Sequence, residues 1–328
     1  MDIRYRLATE NDKEPVLNLL NEVFNDQQRS SFIRDERYWN WKFIDSPYGK
    51  AVLTVAELNQ EIIGVDNLWP WEFRFKDKIL RAYQPCDSVV HSKFRGQGIF
   101  KNMRLHGLDN VRENSPAFLF NFPNSQSINA NLSLGWYSLG QIPWQVKVIK
   151  PISFLRGVFA ERRTHPFRDN NSGSIDVEKL AELVRVNINV DNFIRPNRKQ
   201  GYFNWRYLQH PSRQYTMIFL DQGIQSAAAI FTINQTSCYK EMFLVEMIGY
   251  PGAIHDLLKL TISYAREKGI GLIALMRNFS LGTGTLWKRW FLKKRIKNMV
   301  VLPLDKELEP VVGNYDNWDI FPSLHDSL

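Results

Sequence analysis

Two stretches of this chain, RDERYWNWKFIDSP from Arg34 and RKQGYFNWRYLQHP from Arg198, carry nearly the same residues in the same order. Arg34, Tyr38, Asn40, Trp41 and Pro47 recur as Arg198, Tyr202, Asn204, Trp205 and Pro211, an offset of 164 in a chain of 328. Trp39/Phe203, Lys42/Arg206, Phe43/Tyr207 and Ile44/Leu208 exchange like for like. Rare residues do not fall into register at half the chain length by accident, so a duplicated structural unit is the first constraint on the fold. The correspondence extends upstream, where Asp176, Glu178 and Leu183 stand opposite Asp12, Glu14 and Leu19. The length points the same way, since single cores usually stop growing before this size and two domains of roughly 150 residues are the default. The polar stretch ERRTHPFRDNNSGS makes a natural linker. The expected organisation is a first domain over 1–155, a linker over 156–175 and a second domain over 176–328.

Hydrophobic residues at 44% and charged residues at 23% are ordinary for a folded globular protein. No uninterrupted apolar run approaches the ~18 residues of a membrane span. The opening MDIRYRLATENDKE has early acids and no apolar stretch, which predicts a cytoplasmic protein without a secretory signal. Cys86 and Cys238 do not correspond under the repeat, so no disulfide framework is expected. The six histidines lack ligand spacing and cysteine companions, so no zinc site is expected. A net charge of +8 suits an anionic partner. The basic residues are spread through the chain, however, and nucleic acid is not the expected partner; an oligomer is left open.

In the first half, IRYRLA alternates as a strand, and Val16, Leu19, Leu20 and Val23 recur at helical spacing behind Thr9 and Asn11 as caps. RDERYWNWKFI predicts a short helix stopped at Ser46-Pro47. Strands follow in AVLTVAEL, EIIGVDNLW, WEFRF and DSVVHS, with turns at Asn59-Gln60 and at KDK. In the second half, YTMIFLD, QSAAAIFTI and CYKEMFLVEMIG supply three strands after the repeated aromatic run.

The segment richest in chemistry is VVHSKFRGQGIFKNMRLHGLDNVREN. A strand ends at Val89-Val90, a turn holds Arg95-Gly96-Gln97-Gly98, and an amphipathic helix begins at Ile99. Glycines at 96 and 98 permit backbone angles closed to other residues, and the N–H groups at a helix start suit a phosphate or pyrophosphate. The turn ends in Gly-Ile-Phe, not the Gly-Lys-Ser/Thr of a nucleoside-triphosphate loop, and Lys101 stands where a dinucleotide fingerprint needs a third glycine.

VVHSKFRGQGIF resembles the coenzyme A pyrophosphate loop of the GNAT superfamily of N-acetyltransferases, Gln/Arg-x-x-Gly-x-Gly/Ala after the fourth strand, with Lys93 at its first position. FNFPNSQSINANLSLGW is similar to the fifth strand and fourth helix of that fold, closing on Gly135-Trp136. The resemblance covers residues 3 to 150, and the second half follows the same element order without the loop. It implies an α+β protein of two tandem GNAT-like domains, each a mixed, largely antiparallel twisted sheet flanked by helices, the second copy degenerate. It further implies an N-acyltransferase that moves an acetyl group from acetyl-CoA, its acyl donor, to an amine of a small molecule such as an amino sugar. By the same resemblance, the backbone N–H near Val90 holds the acyl carbonyl, the amides of Arg95, Gly96, Gln97, Gly98 and Ile99 hold the pyrophosphate, and Asn124 touches the pantetheine arm. Many relatives place a tyrosine acid where this chain has Asn131, which cannot serve as a comparable acid; Tyr137 is a substitute to consider. Asp87 and His91, on or beside the fourth strand, are the candidate general bases, with Asp87 facing away from Val90 by alternation. A Fem-type aminoacyl-tRNA-dependent transferase and a noncatalytic acyl-CoA sensor are the alternatives. The tail NYDNWDIFPSLHDSL is expected to fold back toward the first domain and bring Asp326 or the chain terminus near the site.

Overall fold

The computed structural model describes residues 2–26, 32–124, 127–159, 164–166, 174–186, 192–276 and 292–325. The first half opens with strand β1 (Arg4–Leu7), helix α1 (Lys13–Asp26) and helix α2 (Glu36–Trp39), which widens into a π-helical turn over Asn40–Ile44. The apolar stripe Val16, Leu19, Leu20 and Val23 of α1 is buried as its spacing predicts. The Thr9 main-chain N–H donates to Asp12 at the head of this helix, 2.6 Å away, and Arg6 holds the same carboxylate at 2.7 Å. Three strands then run as a meander, β2 (Val52–Leu58), β3 (Glu61–Phe75) and β4 (Lys78–Val90). Asn59 and Gln60 adopt the positive φ of a two-residue hairpin turn. EIIGVDNLW and WEFRF, expected as separate strands, are one strand, β3. Pro70 interrupts the pattern but lies beyond the last β2 pair, Val52 with Leu68, where proline is tolerated. Helix α3 (Ile99–Val111), β5 (Phe118–Asn121), α4 (Ile128–Ser133) and β6 (Tyr137–Val148) complete the half.

After α5 (Pro151–Phe159) and β7 (Thr164–Pro166), the second half repeats this order. It has α6 (Val177–Val186), β8 (Arg195–Pro196), a π-helical turn over Asn204–Leu208, the meander β9 (Thr216–Leu220), β10 (Ala227–Thr236) and β11 (Lys240–Gly249), then α7 (Ile254–Glu267), β12 (Ile270–Met276), β13 (Leu292–Pro303) and α8 (Glu309–Val312). The architecture is therefore α+β, with two halves of like element order that are mixed but largely antiparallel, as expected. The ladders β4–β5 and β11–β12 are the parallel ones, one per half.

The two halves share one sheet, in the order β1-β2-β3-β4-β5-β13-β6-β12-β11-β10-β7, with β8 on β3 and β9 on β10. Strand β13 of the second half enters between β5 and β6 of the first, while β6 lies between β13 and β12. Each half thus completes its sheet with a strand from the other. The repeated aromatic turns meet across this seam. The Trp41 indole N–H donates to the Trp205 carbonyl at 2.8 Å and the Trp205 indole N–H to the Trp41 carbonyl at 2.9 Å, with the rings stacked at 5.8 Å. Trp69, Trp71, Tyr48 and Tyr202 pack round the pair. Each such side chain buries on the order of 150–250 Å² and loses about 3–5 kcal/mol on truncation to alanine.

Because β6 and β13 are exchanged, residues 1–170 or 171–328 expressed alone should fail to give a cooperative melt, whereas the two pieces coexpressed should copurify. A sharp thermal transition for either piece alone would show that the exchange is dispensable. A second expectation concerns His210, which lies 4.4 Å from the Trp41 ring and accepts hydrogen bonds from the main-chain N–H groups of Ser212 and Arg213. Burial first, then the charges of Arg206, Arg213 and Lys42, push its pKa well down. The unfolded chain takes up this proton below about pH 6.5 while the folded chain does not, so stability present above that pH is lost as pH falls toward the folded value. The drop in Tm between about pH 7.5 and about pH 5 should therefore shrink in His210→Gln; an undiminished drop would count against it.

Candidate active site

Strands β4 and β5 pair at Ala82 with Phe118 and at Tyr83 with Leu119, yet β4 continues to Val90 and β5 to Asn121. From Gln84 onward the two strands part, and a gap opens toward their C-terminal ends. Beyond it a 3₁₀ turn, Ser92–Phe94, leads into Arg95–Gly98 and α3. Gly96 and Gly98 have φ of 78° and 75°, with open space where a Cβ would stand. These angles need glycine for backbone reasons and leave the turn uncovered. Among the described residues, the main-chain N–H groups of Arg95 through Ile99 have no acceptor. Beside them lies a cavity of about 250 Å³ lined by Val90, Phe94, Arg95, Gly96, Gly98, Ile99 and Phe100. Arg95 Nε donates to the Val90 carbonyl at 3.1 Å, tying the turn to the end of β4. Unpaired donors at the positive end of a helix beside an open cavity suit a diphosphate.

The two faces of β4 are fixed separately. On the α3 face, Arg104 makes a two-pronged ion pair with Asp66 at 2.7 Å on each arm, both side chains 1% exposed, and Ser88 donates to the same carboxylate. Val90 packs on this face against Ile99, Met103 and Phe94. On the other face, the β3–β4 register slips between Val65 and Asn67 and gives Asp87 a positive φ of 49°. Asp87 and Val90 consequently look to opposite sides, as alternation predicts. The Asp87 carboxylate accepts from the Tyr38 hydroxyl at 2.6 Å and lies 3.7 Å from Lys42 Nζ. Burial and then the Asp87 charge push the Tyr38 pKa well above its usual value, so Tyr38 remains a hydrogen-bond donor. Lys42 lies 3.6 Å from the Trp69 ring, buried by the repeated aromatic turn.

The other predicted residues have local partners. His91 Nε2 is 3.1 Å from Glu22, and its Nδ1 accepts from the Lys93 N–H. Asn124 accepts from the Ser127 N–H at 2.9 Å in the turn that begins α4. Asn131 is buried; its amide donates to the Ser127 carbonyl at 2.9 Å, and its Oδ1 has no partner among the described residues. Tyr137 donates to Glu309 in a separate cavity shared with Ser138, Lys306 and Asn314. Arg95, Gly96, Gly98, Ile99 and Val90 are thus brought together, with Gln97 between them in the turn, whereas Tyr137 lies elsewhere.

Sequence reasoning did not single out Tyr38, Lys42 or Gln84. The first two stood in the repeated run, where shared packing hid a difference between the copies. Gln84 donates to the Leu324 carbonyl at 3.0 Å, and Arg206 donates to the carbonyls of Ser323 and His325. His325 stacks on Phe122. The tail therefore crosses the place where β4 and β5 part, as expected of it, while Asp326 and the terminus fall outside the described residues. In the second half the turn after β11 is closed: the Tyr250 N–H bonds to the Ser226 carbonyl, and a Cβ on Gly249 would meet Ala227 Cα at 2.4 Å.

The acetyltransferase (GNAT) domain family matches residues 4–137. Among solved structures, a GCN5-related N-acetyltransferase from Anabaena variabilis superposes with a TM-score of 0.66 over 95% of this chain and 75% of its own, at 12% identity. A conserved protein of unknown function from Enterococcus faecalis, described as a probable N-acyltransferase, gives 0.63 at 9% identity, over 93% of this chain and 73% of its own. A GCN5-related N-acetyltransferase from Kribbella flavida gives 0.57 at 13% identity, over 95% and 74%. Among curated proteins nothing matches. At these identities the neighbours establish the fold. Among the described residues no helix is long and apolar enough to cross a membrane, and no cluster of ligating side chains could hold a metal ion.

The ion pair between Arg104 and Asp66 yields a stability test. Arg104→Met leaves a buried carboxylate uncompensated and should cost about 3–5 kcal/mol in denaturant unfolding. Adding Asp66→Asn should recover part of that loss; a double variant no more stable than Arg104→Met would show that charge is not the reason.

Proposed function

We propose that this chain is an acetyl-CoA-dependent N-acyltransferase, a reading supported by the match of residues 4–137 to the acetyltransferase (GNAT) domain family and by the fold it shares with N-acetyltransferase structures. It has one working site, in the N-terminal half, and its acceptor is an amine-bearing small molecule, with amino sugars among the candidates. The observation that carries this reading is the row of unpaired amides from Arg95 to Ile99 at the mouth of the β4–β5 gap. The amides and the start of α3 take the pyrophosphate of coenzyme A. The pantetheine arm then enters the gap, where the main-chain N–H near Val90 polarises the thioester carbonyl and favours the oxyanion formed on attack.

The acceptor approaches from the face opposite α3, where Asp87 waits. Its nitrogen attacks the carbonyl carbon, the C–S bond breaks, and Asp87 receives the amine proton directly or through one water. A thiol pKa near ~8.5 makes the thiolate a tolerable leaving group, so Asn131, which has no acidic proton, does not block the reaction. His91, tied to Glu22, is a second base candidate on this approach. Proximity of amine and thioester supplies much of the acceleration, and no covalent enzyme intermediate is required. Cys86 and Cys238 form no disulfide, which fits a cytoplasmic setting.

Saturating acetyl-CoA should raise the Tm, because a ligand bound only to the folded state stabilises it. Gly98→Glu, which puts a carboxylate beside the pyrophosphate amides, should abolish that rise. Asp87→Asn should keep the rise while slowing amine-dependent thiol release about 100-fold or more. A wild-type melt indifferent to acetyl-CoA would overturn the proposal. A shifted melt with no thiol release on any amine would make the chain an acyl-CoA-binding module.

A further inference from the structure

The duplication supplies an internal control for the charges beside the site. Asp87 and Glu246 are counterparts, each three residues before the end of its strand, at Val90 and at Gly249. Each accepts from the tyrosine of its own repeated segment, Tyr38 or Tyr202. In the second half the arginine that opens the repeat closes this arrangement: Arg198 is ion-paired with Glu246, which Tyr207 also contacts. That acid and that arginine satisfy each other.

Among the described residues, Arg34, the counterpart of Arg198, has no such partner. Asp87 is one methylene shorter than Glu246 and is engaged by Tyr38 and Lys42. The Arg34 guanidinium lies over the rings of Phe24 and Tyr38, at 4.2 and 5.5 Å, while its Nε and Nη1 are buried without a hydrogen-bond partner among the described residues. Ring faces attract a cation but leave its N–H directions unfilled, and a buried unpaired donor on a charged group is costly. The position is nonetheless built. Asn21 on α1 accepts from the Arg34 main-chain N–H at 2.8 Å and donates to its carbonyl at 3.0 Å, clamping the residue from both sides. The residue as a whole is only partly buried, although its Nε and Nη1 atoms are closed off from solvent. The ring beneath the guanidinium is that of Tyr38, whose hydroxyl holds Asp87.

We propose that Arg34 receives the anionic group of the acceptor, so that the substrate class is a small amine bearing a carboxylate or phosphate. The amine goes to Asp87 and the acid to Arg34, one tyrosine ring away. The inference rests on the acyltransferase reading above. A planar guanidinium presents its N–H groups in forks, Nη1 with Nη2 and Nε with Nη2, that match the paired oxygens of either anion.

The test uses the full-length protein with acetyl-CoA and matched amine pairs: amino acids against their primary amides, and glucosamine 6-phosphate against glucosamine. In at least one pair the acid-bearing member should be favoured in kcat/KM by about tenfold or more, because a site built for a charged group rejects the analogue lacking it. Preference in the first set identifies a carboxylate, and in the second a phosphate. Arg34→Met keeps an unbranched apolar chain and removes the charge; it should raise KM for the acid-bearing member toward that of the neutral one and leave the acetyl-CoA Tm shift in place. Arg34→Lys should restore part of the preference. Neutral members used equally well, no turnover of any acid-bearing amine, or an equal effect of Arg34→Met on both members would overturn the proposal. The acetyl-CoA shift reports on the acyltransferase reading separately and would survive each of these results.

Discussion

The structure depends on two indole N–H groups finding their acceptors across the seam between the halves. A buried indole donor gains stability from a partner, and each tryptophan of the repeat takes the main-chain carbonyl of the other. The wide turns make this geometry available. The Asp45 N–H returns to the Asn40 carbonyl and the Gln209 N–H to the Asn204 carbonyl, five residues back in each case, so that the following carbonyls, on Trp41 and Trp205, are left to receive the opposing indoles. Repetition of the sequence is therefore required by the contact itself: a self-complementary pair needs the same residues on both sides.

The exchange of β6 and β13 extends that symmetry from one pair to the sheet, and the symmetry ends where chemistry begins. In the second half, donors after β11 bond inward and Glu246 is neutralised by Arg198. In the first half, the amides of Arg95 to Ile99 lack acceptors and Asp87 is engaged by a tyrosine and a lysine. One copy spends its polar groups on itself and can serve as wall and scaffold. The other leaves the amides of its glycine turn without acceptors, at a cost in stability that the shared aromatic core sustains.

What was legible in the sequence was local. The repeat, the α1 stripe, the Asn59-Gln60 turn and the Arg95-Gly96-Gln97-Gly98 turn depend on neighbouring residues, and they form as read. The strand exchange was not legible, because nothing in the composition of β13 says whether it pairs within its own half. The β3 reading failed at Pro70 because the tolerance of a proline depends on where a neighbouring strand stops. Asn124 and His91 stand where polar residues were expected, but that position lets them bond to main chain at element ends, and chain order alone does not distinguish a capping side chain from a catalytic one. Arg34 was hidden by the repeat itself, since the same letter in the two copies has different surroundings, and Tyr38 and Lys42 were hidden because their run reads as shared packing.

The bulge at Asp87 shows how the loop and the base candidate are made one unit. A left-handed aspartate costs roughly 1–2 kcal/mol and persists only where its surroundings fix it. Here both sides do so. Ser88 is held on the α3 face by the Asp66–Arg104 pair, and Asp87 is held on the opposite face by Tyr38. Arg104 belongs to the helix that follows the turn of unpaired amides, so displacement of that helix acts on the residue next to Asp87. Tyr38 belongs to the aromatic segment that locks the two halves together. The strained aspartate is accordingly positioned from one side by the helix that follows the glycine turn and from the other by the aromatic segment that meets its copy across the seam, so the second half supports a geometry whose residues all belong to the first.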